Sequence, residues 1–216
     1  YVPKSIHPDI FALICILNFY PFVGSRMEFE KPVSRRIEEA MSIPVFRQKK
    51  EIEIVNVDPN LKGYSGSKIA TAFGGGIDST SVLNMFPESI IVHEAHTKDG
   101  EIIEYGGISK EFHKFVESLP SSFLIYTNQR MVSFPYGWHS WPASMVTSLL
   151  ISTDNDVGII LCGAILEGNY LWNGRKFWDR GSESVRENHG TTGNYWQSIF
   201  SIIGLPLWSP VEGSSE

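Results

Sequence analysis

The sequence predicts an α/β fold in which a doubly wound parallel sheet follows a small N-terminal α+β extension. From Lys68 onward, short apolar segments alternate with segments of helical period in the order β-α-β-α-β-α-β-α. The apolar segments are continuous rather than alternating, as strands covered on both faces require. Residues 1–60 lack this alternation, so we expect an extension over 1–60 and a single α/β domain over 61–216.

The extension contains two predicted helices and one predicted strand. We expect Asp9 to cap a helix over residues 10–20, which Pro21 ends. Pro32 is expected in the first turn of a second helix, because proline is tolerated there. Residues 51–57 (EIEIVNV) alternate between apolar and charged side chains, as a half-exposed strand does.

In the α/β domain, length and periodicity separate strands from helices. The predicted strands are 68–73, 89–95, 122–128 and 157–163. The predicted helices are 77–86, 108–119, 142–153 and 193–204. Residues 164–192 show no clear period, and loops of that length inside a compact domain are typically functional or mobile.

Composition excludes several classes of protein. The chain has 18 basic and 24 acidic residues, a formal net charge of −6, and a hydrophobic fraction of 42%, which excludes a disordered chain. The acidic balance argues against a nucleic-acid partner. Cys15 and Cys162 cannot form a disulfide framework, and no Cys-x-x-Cys pair suggests zinc. These features favour a reducing compartment, and we expect a cytoplasmic location.

No membrane partner is expected. The longest apolar stretch, residues 10–23, is interrupted by Asn18 and Pro21 and is shorter than the ~20 residues that a bilayer crossing needs. The flanks of a signal peptide are also missing around it. The last residues, 214–216, are typical of a helix start, so we expect the chain to continue beyond them. The sequence leaves open whether the protein forms a homo-oligomer.

The most informative segment is a glycine turn between a predicted strand and a predicted helix. It reads Phe73-Gly74-Gly75-Gly76-Ile77-Asp78-Ser79-Thr80. Consecutive glycines cost conformational entropy, and they are expected where a backbone bends tightly or approaches a ligand. The N–H groups of such a turn and the helix N-terminus attract anions, phosphate above all. Asp78, Ser79 and Thr80 can cap the helix or bind phosphate oxygens and Mg²⁺.

The turn matches neither the G-x-x-x-x-G-K-[ST] motif nor the full dinucleotide fingerprint. It resembles the pyrophosphate loop, S-G-G-x-D-S, of the PP-loop ATP pyrophosphatase family, which belongs to the adenine nucleotide alpha-hydrolase-like superfamily. The residues that match the motif or its common flanks are Phe73, Gly75, Gly76, Asp78, Ser79 and Thr80. Gly74 replaces the first Ser, so a backbone N–H is kept and a hydroxyl donor is lost.

The resemblance implies both a fold and a reaction. Residues 61–216 would be a PP-loop nucleotide-binding domain that binds ATP at the carboxyl ends of its strands. In members of the family, the acceptor attacks the α-phosphate of ATP, pyrophosphate leaves, and the acceptor becomes adenylylated. The implied cofactors are ATP and Mg²⁺, and the implied partner is a small-molecule acceptor. The implied nucleotide contacts are Phe73, Gly74, Gly75, Gly76, Asp78, Ser79, Thr80, His93 and Gly163, with His93 acting through its backbone.

Catalytic roles are expected for two pairs of residues. Asp78 and Ser79 would order Mg²⁺ and pyrophosphate, with Asp78 as the metal ligand. Arg175 and Lys176, in the segment 164–192, would bind the α-phosphate or a substrate carboxylate, unless they are solvated surface charges. Trp138, His139 and Trp141 are candidates for lining the acceptor pocket.

We therefore predict an ATP-dependent, AMP-forming ligase or synthetase. Two alternatives stay open at this point. One is a nucleotide-binding module without turnover, for which Gly74 is the main reason. The other is an interaction domain that docks a partner through the part of the chain rich in Trp.

Overall fold

The computed structural model describes residues 1–43, 51–98, 101–102, 109–128, 145–163, 171–172, 175–176 and 195–211. They form a mixed α/β fold with a mostly parallel main sheet, as the sequence predicts. The helices are α1 (Pro8–Phe19), α2 (Arg35–Met41), α3 (Ile77–Met85), α4 (Lys110–Ser118), α5 (Val146–Asn155) and α6 (Tyr195–Ile203), with a 3-10 turn at Tyr20–Phe22. The strands are β1 (Arg26–Val33), β2 (Glu53–Val57), β3 (Lys68–Ala72), β4 (Ile90–Lys98), β5 (Glu101–Ile102), β6 (Ser122–Thr127), β7 (Val157–Leu161), β8 (Leu171–Trp172), β9 (Arg175–Lys176) and β10 (Leu207–Trp208).

The main sheet has the spatial order β10-β7-β3-β4-β6, and these neighbours are parallel. The short strand β5 adds an antiparallel pair to the end of β4. The chain passes from β3 outward through β4 to β6, and then returns to the other side of β3 for β7 and β10. The strand order therefore reverses beside β3, between its neighbours β4 and β7.

Side chains from both faces of this sheet are buried under helices. On one face Ala70, Val92 and Ile160 belong to the largest apolar cluster, which also includes residues of α1, α2, α5 and α6. On the other face Ile91 packs in a cluster with residues of α4, and Leu161 packs in a cluster with residues of α3. This double cover explains why the strands are apolar without alternation.

The N-terminal extension shares the largest cluster rather than forming a separate core. A polar contact reinforces the packing: Arg36 Nη1 donates to the carbonyl oxygens of Tyr64 at 2.7 Å and Ile203 at 3.2 Å. Since Ile203 ends α6, the guanidinium lies at a helix C-terminus, where positive charge is favourable. Among the described residues, no helix is long and apolar enough to cross a membrane.

The predicted cap of the first helix is wrong. Helix α1 begins at Pro8, and its cap is His7, whose Nδ1 accepts from the Asp9 N–H at 3.2 Å. Asp9 instead is fully buried and accepts hydrogen bonds from the N–H and Oγ of Ser34, at 2.8 and 2.7 Å. Its carboxylate joins α1 to the start of α2, a tertiary contact that overrides its local capping preference.

The predicted start of the second helix is also wrong. Pro32 lies in β1, which pairs parallel with β2 in a separate two-stranded sheet. The pairing is irregular between Glu28 and Val33, and a proline without an N–H is tolerated at such a place. Helix α2 begins after Ser34, whose Oγ accepts from the Arg36 N–H at 3.3 Å. Serine is among the residues preferred at the N-cap, so Ser34 sets the start of α2 and Pro32 does not.

Two side chains near the end of α5 hold the chain before α1: Thr153 Oγ1 accepts from the His7 N–H at 2.9 Å, and the Asp154 carboxylate makes several contacts. Asp154 accepts from the Tyr1 hydroxyl, from the Lys4 N–H at 2.7 Å, and from the N–H and Oγ of Ser5 at 3.1 and 3.0 Å. The hydrogen bond from Tyr1, followed by that from Lys4, lowers the pKa of Asp154 to about 2. The stabilisation is therefore complete above the ordinary value of 3.8 and is lost as the pH falls through about 2.

We expect Asp154→Ala to release this segment at neutral pH, because four donors lose their acceptor. The measurement is the rate of tryptic cleavage after Lys4, which should rise in Asp154→Ala and stay at the wild-type rate in the exposed control Glu39→Ala. Equal cleavage rates in wild type and Asp154→Ala would contradict the anchoring role.

Candidate functional site

The glycine turn leaves β3 at its carboxyl end, beside the point where the strand order reverses. Residues 74–77 are exposed, and 76% of Ile77 is accessible to solvent. Helix α3 follows directly, with Gly76 as an N-cap that offers no side chain to the first N–H groups. In open α/β sheets, ligands bind outside the carboxyl ends of the strands at such a reversal.

Backbone donors are available at this turn. Among the described residues, the N–H groups of Gly74, Gly75 and Gly76 have no hydrogen-bond acceptor. The first N–H groups of α3 add the partial positive charge of a helix N-terminus. A Cβ at Gly74 or Gly76 would meet nothing within 4 Å, so open space adjoins these residues. The turn has the exposure and the donors that an anion needs.

Gly75 has a backbone conformation that other residues rarely adopt. Its φ is +78°, in the left-handed region. A Cβ at this position would lie 2.2 Å from Cζ of Phe112, on α4. The positive φ therefore favours glycine at position 75, and any side chain there would also displace the Phe112 ring.

The two hydroxyl groups after the turn bind the backbone of the turn itself. Ser79 Oγ donates to the Gly76 carbonyl oxygen at 3.1 Å, and Thr80 Oγ1 donates to the same oxygen at 2.9 Å. Ser79 is buried, whereas Thr80 is exposed. In this conformation the hydroxyls stabilise the first turn of α3, and the backbone N–H groups are the donors left for a ligand.

Gly163 brings the end of β7 against the same turn. A Cβ there would lie 2.6 Å from the Ser79 nitrogen and 2.8 Å from Cβ of Asp78. The ends of β3 and β7 therefore meet at the first turn of α3, and three residues implied by the resemblance lie together. Asp78 is half-buried, and its carboxylate in the first turn is favoured by the helix dipole.

The chemistry of the turn fits the triphosphate of ATP, since exposed N–H groups can hold phosphate oxygens. No group of three or more His, Cys, Asp or Glu side chains that could hold a metal ion occurs among the described residues. Mg²⁺ bound together with a nucleotide needs only one or two carboxylates besides the phosphates. Asp78 is the carboxylate nearest the glycines in sequence, in the first turn of α3.

His93 lies beside the turn, but its side chain is buried. Its Nδ1 lies 2.7 Å from the carbonyl oxygen of Phe73, the last residue before the glycines. Burial lowers the pKa of His93, the hydrogen bond to Phe73 opposes this shift, and His113 adds to it. The pairing of β3 with β4 reaches Val92, whereas β4 continues to Lys98. The backbone near His93 is thus close to the turn, as an adenine contact would require.

Phe73 is buried under the turn. Its ring stacks on Phe112 at a centroid distance of 5.9 Å, and Phe112 meets the His93 ring edge-on at 5.1 Å. Sequence reasoning missed the role of Phe112, although its place on the apolar face of the helix predicted over 108–119 gives a signal. It also missed the side chain of His93, because nothing local indicates which carbonyl that ring will reach.

The other predicted side chains lie outside the part of the chain for which the structure describes side chains. Arg175 and Lys176 form β9, which pairs antiparallel with β8, and only this backbone pairing is described. Trp138, His139 and Trp141 lie outside the described residues, as does most of the segment 164–192. Their roles in binding the α-phosphate and the acceptor stay predictions.

Comparison of the chain with models of known protein families, with curated protein sequences and with solved structures gives no match. The likeness to the PP-loop family therefore depends on the motif at residues 73–80 and on the order of the elements around it.

Proposed function

We propose that this chain binds ATP through the glycine turn and transfers the adenylyl group to a small-molecule acceptor, with release of pyrophosphate. The observation that carries the proposal is the turn itself. It is exposed at the carboxyl end of β3, and its three glycine N–H groups have no acceptor within the described part of the chain. Within the proposal, these groups hold the β- and γ-phosphates of ATP.

The architecture supports the same proposal. The strand order reverses beside β3, and helices pack on both faces of the sheet, two features that a doubly wound fold requires. We propose that the fold is of the adenine nucleotide alpha-hydrolase-like kind that the motif implies. The end of β4 would contact adenine, and Gly163, which packs against the first turn of α3, would lie beside the nucleotide.

The reaction needs stabilisation of the negative charge that develops on the leaving pyrophosphate. Preorganised N–H donors aimed at such charge are worth about 2.7–4 kcal/mol each. The turn contains no Lys, so we propose that Mg²⁺, bound through Asp78, neutralises the phosphates. Arg175 and Lys176 would act on the α-phosphate. ATP and Mg²⁺ are both available in the cytoplasm, the location that we propose.

A second candidate is nucleotide binding without turnover, and Gly74 favours it. Glycine at this position supplies an N–H but no hydroxyl group, and a hydrogen bond to a charged group contributes about 1.5–3 kcal/mol. Calorimetry with ATP and Mg²⁺ measures binding, and an assay for released pyrophosphate measures turnover. Binding without pyrophosphate release, in the presence of candidate acceptors, would favour this second function.

We expect Asp78→Ala to weaken the affinity for ATP·Mg²⁺ by roughly tenfold or more, because the metal loses its carboxylate ligand. The matched control is Glu88→Ala, which removes an exposed acidic residue just before the amino end of β4. Titration calorimetry should give the wild-type dissociation constant for the control. An unchanged constant in folded Asp78→Ala would remove Asp78 from the site, and absence of ATP binding to the wild type would overturn the proposed function.

A further inference from the structure

A buried histidine holds the last carbonyl before the glycine turn. His93 is 2% exposed, and its Nδ1 lies 2.7 Å from the carbonyl oxygen of Phe73. A carbonyl oxygen can only accept a hydrogen bond, so Nδ1 carries the proton and donates. The contact thus fixes both the tautomer of the His93 ring and the direction of the Phe73 carbonyl.

The direction of that carbonyl decides where the next N–H points. The C=O of Phe73 and the N–H of Gly74 belong to one peptide plane, and in a trans peptide they point in opposite directions. Since the oxygen is turned towards the buried ring of His93, the N–H is turned away from it. A Cβ at Gly74 would meet nothing within 4 Å, so open space is available on the exposed side of this residue.

We propose that His93 is a positioning residue for the glycine turn. Its hydrogen bond to Phe73 turns the Gly74 N–H outward, where that group donates to a phosphate oxygen of the ligand. For the identity of the anion this inference rests on the proposed function. It gives the side chain of His93 a role separate from the backbone contact with adenine. It also explains how Gly74 binds a phosphate oxygen without a hydroxyl group, because the donor that His93 orients is the backbone N–H of Gly74.

The surroundings keep the ring of His93 in one place. Its centroid lies 5.1 Å from that of Phe112 and 5.3 Å from that of His113, both on α4. Within the described part of the chain, Nε2 of His93 and Nδ1 of His113 are buried without hydrogen-bond partners. The contact with Phe73 is therefore the polar interaction that orients the His93 ring.

Two substitutions of His93 distinguish its hydrogen bond to Phe73 from the packing of its ring. The side-chain nitrogen of asparagine can occupy nearly the place of Nδ1, so His93→Asn keeps a donor for the Phe73 carbonyl, whereas His93→Leu removes it. With inorganic pyrophosphate and Mg²⁺ as the probe, we expect calorimetry to show roughly tenfold weaker binding in His93→Leu. Affinity should return to within about threefold of wild type in His93→Asn. The control Ile54→Ala removes a buried side chain from β2, which lies outside the main sheet, and it should bind as the wild type does.

Nuclear magnetic resonance gives a readout that needs no ligand. The ¹⁵N shifts of His93 report which ring nitrogen is protonated, and the amide resonance of Gly74 reports the orientation of its N–H. We expect an Nδ1–H tautomer in the wild type. The Gly74 resonance should move in His93→Leu and return in His93→Asn.

The possible outcomes separate this inference from the proposed function. If the wild type binds no pyrophosphate but the Gly74 resonance moves and is rescued as expected, the function fails and the positioning role stands. If His93→Leu leaves both affinity and resonance unchanged, the positioning role is overturned and the function stands. Should His93→Leu not fold, two results still overturn the inference: an Nε2–H tautomer in the wild type, or a tenfold loss of affinity in folded His93→Asn.

Discussion

Gly75→Val is expected to weaken the binding of ATP·Mg²⁺ by at least about tenfold. The φ of +78° places Gly75 in the left-handed region, where a β-branched residue costs about 1–3 kcal/mol. In addition, the new Cβ would lie 2.2 Å from Cζ of Phe112, so the Phe112 ring or the turn must move. Relief of the backbone strain takes the glycine N–H groups out of the arrangement that is proposed to hold the phosphates.

The matched control is Gly76→Ala, one residue further on. Its φ is −76°, and an added Cβ meets nothing within 4 Å, so the backbone of the turn should be kept. Titration calorimetry of the two variants, with circular dichroism to verify folding, compares an added side chain at a crowded position with one at an open position. Equal affinities in Gly75→Val and in the wild type would show that the turn is not the binding element.

Asp9→Ala is expected to lower the free energy of unfolding by about 2–5 kcal/mol, the largest effect on stability that we predict. The carboxylate is fully buried and accepts from the N–H and Oγ of Ser34, at 2.8 and 2.7 Å, and from the Tyr64 N–H at 3.4 Å. Its removal leaves these donors buried without an acceptor and loosens the cap of α2.

Urea unfolding followed by circular dichroism measures this effect. Asp9→Asn keeps one acceptor oxygen and should lose less stability than Asp9→Ala. Glu39→Ala, which removes an exposed carboxylate from α2, should change the free energy of unfolding by no more than about 0.5 kcal/mol. If Asp9→Ala is as stable as this control, the buried carboxylate contributes nothing to the joint between α1 and α2.

The α/β domain was predictable because its signals are local and agree with one another. The strand predicted over 68–73 is observed at Lys68–Ala72, and the helix predicted over 77–86 is observed at Ile77–Met85. Continuous apolar segments between helical ones leave few arrangements besides a parallel sheet. The position of the glycine turn at the end of a strand follows from the same alternation.

The extension was less predictable, because tertiary contacts decide its local structure. Asp9 looks like a cap in the sequence, but the buried N-terminus of α2 is a stronger partner for its carboxylate. Pro32 looks like a helix start, yet Ser34 sets that start and the proline falls in an irregular part of β1. Strand β1 was missed altogether, since its partner β2 lies beyond α2 in the sequence.

In the candidate site, sequence reasoning identified the motif but not the residues that support it. The glycines and Asp78 form a motif that is recognisable in the sequence alone. The contacts of His93 with Phe73, and of Phe112 with Gly75, join different elements, and no spacing in the sequence encodes them. Supporting residues of this kind require coordinates because their partners are distant in the chain.

The hydrogen bond from Arg36 to the carbonyl of Ile203 spans 167 positions of the chain. During synthesis, α1 and α2 leave the ribosome long before α6 is made. The apolar side chains that they later bury against α6 are therefore exposed until α6 has been synthesised. Nascent chains that end before α6 should therefore depend on chaperones, and the last step of folding should follow the release of α6 from the exit tunnel.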